Sequence, residues 1–496
     1  MKEDKILIFI VAYNAKSTLE GVIHRIPAGL HCRNVEVLVI DDCSPDSTYL
    51  SGLKWENQIE GLRVLVLRNP ENHGYGGNQK LGYRYAIDNG FDVVAMVHGD
   101  GQYAPEKLPE LLAPLLEGRA DVVFGSRMLK KSDALKGGMP LYKWVGNQML
   151  TAFQNRLLGT RLAEFHTGYR LYSVEALKKI PFERNANDFH FDTDIIIQSQ
   201  FAGFRIVELP IPTFYGDEVC YVNGFKYAWN ICASSIRGRL HLMNLFYDRK
   251  FDLGQPELNY DVKLGFPSSH TIAIAAVKPG AKVLDIGCGQ GFVAIELAKS
   301  ASRVVGIDQY VVPQENQAVE IKQWDLDSPS LPVDTSQFDQ IFLLDIIEHL
   351  KDPETFMESL REAALSKRPE IILTTANIAF FMTRLMLCFG RFSYGRKGIL
   401  DRTHTRLFTW NSLRELFEQT GYRVLEMRGI PAPFPKAIAA PWLASFLLKV
   451  NELGIALFPK LFSYQIFVRA IAMPTVTQLL SETVKSTEAI KLAGGL

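Results

Sequence analysis

The side chains in the first half of the chain that could do chemistry fall in four polar clusters, each behind a short apolar run. The clusters are Ala12-Tyr13-Asn14, Asp41-Asp42, Asn69 and His98-Gly-Asp100-Gly-Gln102. Adjacent carboxylates such as Asp41 and Asp42 can accept hydrogen bonds from ribose hydroxyls and base N–H groups. Asp100 is a hard oxygen donor that can hold Mg2+ or Mn2+ between the phosphates of a nucleotide, and the Gln102 amide can complete that shell. A divalent ion there neutralises the charge that builds on a departing diphosphate. Imidazole suits softer metals, which leaves Asp100 and Gln102 as the metal pair rather than His98. Arg127, in Gly125-Ser-Arg127, adds a two-pronged phosphate donor.

The second half opens on a different device, Val283-Leu-Asp-Ile-Gly287-Cys-Gly289-Gln-Gly291. Glycines let the backbone turn sharply and come close to a ligand. Asp285 can orient this loop and face an amino-acid ammonium. Asp308 ends the next apolar run and can accept from both ribose hydroxyls, while Asp325-Leu326 can meet an adenine edge. A dinucleotide-binding loop is the alternative, but the glycines run Gly-x-Gly-x-Gly behind an aspartate, not Gly-x-Gly-x-x-Gly.

Alternating strands and helices must position these clusters. The pattern predicts strands at Ile6–Ala12, 35–40, 63–67, 93–97 and 121–124, with helices at 17–26, 46–55, 77–89 and 106–117. The rhythm restarts with strands at Lys282–Ile286, 303–307, 320–323, Gln340–Leu344 and 370–374. Strand–helix alternation implies a mostly parallel, doubly wound α/β sheet in each half, with ligands beyond the carboxyl ends of the strands.

A chain of 496 residues exceeds one ordinary core. The boundaries read as a domain over 1–235, a linker over 236–265 marked by Gly254, Pro256 and Gly265, a domain over 266–475 and a polar tail over 476–496. With 54 basic and 54 acidic residues there is no basic field to attract nucleic acid. Cysteines 32, 43, 220, 232, 288 and 388 form no C-x-x-C pair and no zinc spacing, as in a cytoplasmic protein with reduced thiols. No transmembrane span is expected, since no apolar run reaches about 18 residues. The apolar segments 378–389 and 437–467 are interrupted by charges and suit packed core helices or peripheral membrane contact.

Ile8-Phe-Ile-Val-Ala-Tyr-Asn14, Val39-Ile-Asp-Asp-Cys-Ser-Pro-Asp-Ser-Thr48, Asn72-His-Gly-Tyr-Gly-Gly-Asn78, His98 to Glu106 and Thr167-Gly-Tyr-Arg170 resemble family 2 glycosyltransferases of GT-A fold. The dolichyl- or polyprenyl-phosphate sugar synthases are similar in particular. The resemblance covers about residues 4–235, where His98 replaces the first aspartate of the usual Asp-x-Asp. It implies inverting transfer from a nucleotide-sugar, with Ala12, Tyr13, Asn14, Asp41, Asp42 and Asn78 at the nucleotide and Asp100 at the metal. Arg127, Arg170, Asp192 and Asp194 are the further catalytic candidates, and Phe189 to Asp194 would lie on the acceptor side. A phosphate acceptor, with a second pKa of about 6, needs no catalytic base. A sugar hydroxyl would need one, and Asp192, Asp194 and Glu164 are candidates, with helix capping as the other role for the two aspartates.

The second half resembles class I S-adenosylmethionine-dependent methyltransferases over about 266–472. The glycine loop, Phe342-Leu-Leu-Asp345-Ile-Ile-Glu-His349-Leu-Lys-Asp-Pro353 and Asp401-Arg-Thr-His404-Thr-Arg-Leu-Phe-Thr409 carry the likeness. It implies a Rossmann-like fold that binds S-adenosylmethionine through Asp285, Gly287, Gly289, Gly291, Asp308, Asp325, Leu326 and Asp345. His349 and His404 are candidate bases for an oxygen nucleophile. The whole describes a bifunctional, cytoplasmic enzyme of cell-surface glycan biosynthesis, with peripheral membrane association as the variant of that setting. It would move a sugar to a lipid-phosphate or glycan acceptor and a methyl group to a related product. The alternatives are a glycosyltransferase with a regulatory S-adenosylmethionine-binding domain, and a non-catalytic nucleotide-sensing scaffold.

Overall fold

The computed structural model describes residues 4–32, 34–56, 58–214, 223–243, 246–254, 264–309, 319–328, 331–438, 440–476, 478–480 and 483. Cys220, Pro256 and most of the tail lie outside the described residues. The chain forms two compact units, one of residues 1–241 and 248–255, the other of 242–247 and 256–496. The helix Gly224–Leu242 begins inside the first domain predicted from sequence and ends within the expected linker.

The first unit is built on seven strands: β1 Ile6–Ala12, β2 Val35–Asp41, β3 Arg63–Arg68, β4 Val93–His98, β5 Val122–Ser126, β6 Arg170–Ser173 and β7 Ile206–Pro210. Their order is β3-β2-β1-β4-β6-β5-β7, with β6 antiparallel to both neighbours. All seven residues of β1 and of β2 are buried, because apolar layers cover both faces of the sheet. The parallel register aligns Ala12 with Asp41, Val11 with His98 and Asp41 with Arg68. All four polar clusters therefore emerge at one sheet edge, the Asn69 amide donating to the Asp41 carbonyl at 2.9 Å. Two residues there, Asn14 (φ 52°) and Cys43 (φ 56°), hold left-handed backbone that side chains disfavour, as functional edges often do.

The second unit orders its strands β10-β9-β8-β11-β12-β14-β13. They span β8 Lys282–Ile286, β9 Arg303–Asp308, β10 Val319–Gln323, β11 Gln340–Leu344, β12 Glu370–Ala376, β13 Tyr422–Ile430 and β14 Gln465–Ala472. The first five are parallel, and β14 runs antiparallel between β12 and β13. Within the apolar segment 437–467 lie the helix Pro441–Leu457, a short helix and the start of β14; segment 378–389 holds the helix Phe381–Cys388. Among the described residues no helix is long and apolar enough to cross a membrane.

Both sheets are thus mixed, each with an antiparallel strand that helix–strand alternation does not foretell. The doubly wound reading missed β6, β7, β13 and β14. Short strands of mixed polarity such as Arg170–Ser173 owe their pairing to distant neighbours, which a local apolar pattern cannot report.

Candidate active sites

At the first edge the carboxylates are held by their own loops. Asp41 is fully buried; its Oδ1 accepts from the Ser44 amide at 3.2 Å and from the Ser44 hydroxyl, and Arg68 Nε lies 3.6 Å from Oδ2. Asp42 Oδ1 accepts from Asn69 Nδ2 at 2.7 Å and the His73 amide at 2.9 Å. Asn78 donates to the Ile40 carbonyl at 2.9 Å, and the Asn14 amide donates to Ser44 Oγ at 2.9 Å. Ala12 is buried and Tyr13 exposed. The loops after β1 and β2 are thereby fixed to one another.

Asp100 remains partly open. Its Oδ1 accepts from the Gln102 amide at 3.0 Å, and Oδ2 lies 3.9 Å from His98 Nδ1. Burial pushes this carboxyl up, but His98 and the Gln102 amide outweigh it and hold the group below its ordinary value. Tyr75 hydroxyl links His98 Nε2 (3.0 Å) to Asp192 Oδ2 (3.2 Å), so a hydrogen-bonded chain runs from the Asp100 side to the predicted acceptor side. No group of three His, Cys, Asp or Glu side chains converges among the described residues. One carboxylate and one amide suit a Mg2+-like ion that takes its remaining ligands from substrate phosphates.

Four other expected catalytic residues face inward. Arg127 donates through Nε to Glu164 Oε1 at 3.1 Å, through its amide to Glu164 Oε2 at 2.8 Å and through NH2 to the His166 carbonyl at 3.0 Å. Glu164 is fully buried; desolvation raises its carboxyl, yet Arg127 and Asn147 overcome this and hold it low. Arg170 is fully buried too, donating to the carbonyls of Thr167 (2.7 Å), Phe165 and Asp192 (both 2.9 Å). Asp192 and Asp194 stand in the first turn of the helix Phe191–Phe201 behind His190, without capping it. Asp192 accepts from Tyr75 and from Gln79 at 3.0 Å, and Asp194 from Lys250 at 2.7 Å, Ser234 and the Ala186 amide. Arg170 and Asp194 therefore brace the loops around the site rather than line it.

The second edge is built differently. Gly287, Gly289 and Gly291 all adopt positive φ, and a Cβ on Gly287 would lie 2.6 Å from Ile346 Cγ1. The Gly289 amide donates to Asp308 Oδ2 at 2.8 Å, which ties the loop to the end of β9. Asp285 is buried beside it, and its Oδ2 has no hydrogen-bond partner among the described residues. Burial, with help from the Asp308 charge, raises this carboxyl to about 7. An unpartnered carboxylate inside a glycine cradle fits a cationic amino group. Asp325 is exposed beyond β10, and Leu326 packs on the core.

Asp345, at φ 54°, accepts from Ser269 at 3.0 Å and from Thr374 and Gln465 at 2.8 Å. His349 and His404 come together, ring centroids 4.8 Å apart and edge to face. Their Nδ1 atoms lie 3.2 Å from the Thr403 carbonyl and 2.9 Å from the Ile399 carbonyl. A carbonyl only accepts, so in the neutral rings Nδ1 carries the proton and Nε2 is basic. Burial and the neighbouring His349 lower the His404 pKa, which favours that neutral form.

Sequence reasoning missed Glu348. It is buried, accepts from the Ala376 amide at 3.2 Å, and is raised to about 8 by burial and then by Asp345. Its carbonyl receives the amides of Thr405 at 2.9 Å and Arg406 at 3.1 Å, anchoring the loop that carries His404. Two acids three residues apart at a strand end were the available signal.

The family model Glycosyl transferase family 2 matches residues 7–181, and the model Methyltransferase domain matches 268–427. The undecaprenyl-phosphate mannosyltransferase of Micrococcus luteus is 29% identical over 212 residues, 42% of this chain and 82% of that protein. The polyprenol monophosphomannose synthase of Mycolicibacterium smegmatis is 30% identical over 207 residues, 41% of this chain and 76% of that one. Among solved structures, an S-adenosylmethionine dependent methyltransferase from Mesorhizobium loti aligns with TM-score 0.29 at 16% identity, covering 41% of this chain and 98% of that one. A methyltransferase domain implies S-adenosylmethionine as methyl donor. The chain belongs to the family 2 glycosyltransferases through its first domain and carries a methyltransferase domain behind it, so both halves are transferases.

Proposed function

We propose that the first unit transfers a sugar, with inversion, from a nucleotide-sugar to a polyprenyl-phosphate-type acceptor. One observation carries the choice of acceptor: all three candidate bases are spent on internal partners. Glu164 is locked to Arg127, Asp194 to Lys250 and Ser234, and Asp192 to Tyr75 and Gln79. A phosphate acceptor is already anionic near neutral pH and needs none of them. Both relatives described above bear names of lipid-phosphate sugar transferases, which supports the same reading. Asp41, Asp42 and Asn14 would bind the nucleotide side at the β1–β2 edge. Asp100, with Gln102, would hold a Mg2+ or Mn2+ whose charge offsets that on the leaving diphosphate.

In the second unit Asp285 would receive the ammonium of S-adenosylmethionine, Asp308 its ribose and the Asp325-Leu326 end its adenine. Asp345 would stand near the methyl group, and the His349–His404 pair would take a proton from an oxygen nucleophile through a neutral Nε2. The methylated molecule would be the glycosylated product or its precursor, because a shared chain raises the local concentration of one product at the other site. The setting would be the cytoplasmic, membrane-associated assembly of a surface glycan.

The test is a panel of nucleotide-sugars assayed for nucleoside diphosphate release, with and without polyprenyl phosphate, followed by labelled S-adenosylmethionine on the product. Release stimulated only by a free sugar or glycan would overturn the lipid-phosphate reading. Label passing only to an unrelated molecule would separate the two pathways.

A further inference from the structure

Antiparallel strand neighbours are ordinarily joined by loops of about 2–5 residues. Here β13 and β14 are joined by residues 431–464, whose described residues form three helices. The long one, Pro441–Leu457, buries only Ala444 and Asn451. The Asn451 side chain pins it down, accepting from the Ala432 amide and donating to the Phe462 carbonyl, both at 2.9 Å. Its outer face carries large apolar side chains around the exposed Lys449: Trp442, Phe446, Leu453 and Leu457 are 72%, 59%, 62% and 64% exposed. Steps of four, seven and four residues place them in one stripe along the helix.

The helix Phe381–Cys388 packs against the same insertion. Phe381 and Met382 pack with Phe434 and Tyr464 in one cluster, while Leu385, Leu387 and Phe389 stay exposed. Charge is sorted onto the same two segments. Residues 381–402 and 434–460 hold eight Lys and Arg against only Asp401 and Glu452, in a chain whose formal net charge is zero. Most of these cations, including Arg384, Arg391, Lys449 and Lys460, are solvent-exposed. The base of the surface reaches the candidate methyl-transfer site: Tyr464 packs edge-on against Phe380, and the next residue, Gln465, donates to Asp345 at 2.8 Å.

We infer that this face docks the methyltransferase unit onto a bilayer surface carrying anionic headgroups. Large apolar side chains with a Trp at one end would enter the headgroup boundary, and the surrounding cations would meet the lipid charge. The inference goes beyond the transferase assignments and needs neither of them, because its readout is binding.

The full-length protein is mixed with vesicles of phosphatidylcholine containing phosphatidylglycerol, with pure phosphatidylcholine as control. The wild type should co-sediment with the anionic vesicles, less so as salt rises, and lipids brominated near the headgroup should quench part of its fluorescence. Trp442→Ser/Phe446→Ser/Leu453→Ser should lower vesicle partitioning by at least about tenfold, with an unchanged thermal midpoint because the replaced side chains are exposed. Trp442→Phe alone should keep binding but lose the quenched component, which keeps the test informative if the triple variant misfolds. Absence of wild-type binding, equal binding by the triple variant, or a dimer in sedimentation velocity that the triple variant dissolves would each overturn the inference.

Discussion

At the edge of the first sheet Asp100 and Glu164 are held below the ordinary carboxylate range, whereas at the edge of the second Asp285 and Glu348 are raised to about 7 and about 8. Burial raises all four. The difference lies in the partners: His98 and Arg127 counter burial in the first unit, while Asp285 and Glu348 meet no cation among the described residues and are pushed further by Asp308 and Asp345. A carboxylate that is always ionised suits a site that gathers divalent cations. One that ionises near neutrality suits a site that waits for a cationic ligand.

The largest expected effect isolates the first site. Asp100→Ala should reduce sugar transfer by at least about 100-fold, since electrostatic stabilisation of a leaving group is commonly of that size. S-adenosylmethionine binding should be unchanged by calorimetry. Full transfer in this variant, or in excess chelator, would remove the metal from the comparison.

Asp308→Ala should weaken S-adenosylmethionine binding by about 10- to 150-fold, from the roughly 1.5–3 kcal/mol of hydrogen bonds to a charged group. An unchanged dissociation constant would move the ribose site elsewhere. Part of the loss would come from the loop, because Asp308 also holds the Gly289 amide.

The third expectation is a pH dependence with a defined sign. In the free protein Asp285 keeps its proton up to about pH 7, and an ammonium ligand favours the ionised form. Binding must therefore expel a proton below pH 7, and affinity should fall as pH falls, by up to about tenfold per unit. Asp285→Asn should flatten this slope. A pH-independent affinity in the wild type would show that Asp285 does not meet the ammonium.

The smallest effect concerns stability. Glu348 has a folded pKa near 8 against about 4.3 when unfolded. Its contribution is thus complete below about pH 4 and is lost as pH rises toward 8. Glu348→Gln mimics the protonated acid, so between pH 4 and 5 the variant should already gain on the wild type by up to about 1 kcal/mol. Equal thermal midpoints across that range would mean that the carboxyl is already ionised.

Much of this was legible in the sequence because it is local. Ile6–Ala12, Lys282–Ile286 and Gln340–Leu344 are apolar runs closed by polar or turn residues, and each forms a strand with those bounds. The carboxylates at strand ends, and the glycine loop before its helix, follow from the same local grammar. Tertiary structure alone decided the rest. Arg127 meets Glu164, Tyr75 meets Asp192, and His349 meets His404 only once distant segments are brought together. Those encounters turn Arg170 and Asp194 into internal braces, while burial leaves Asp285 Oδ2 without a hydrogen-bond partner among the described residues. A sequence shows which groups can ionise, but burial and the nearest countercharge determine where each one does.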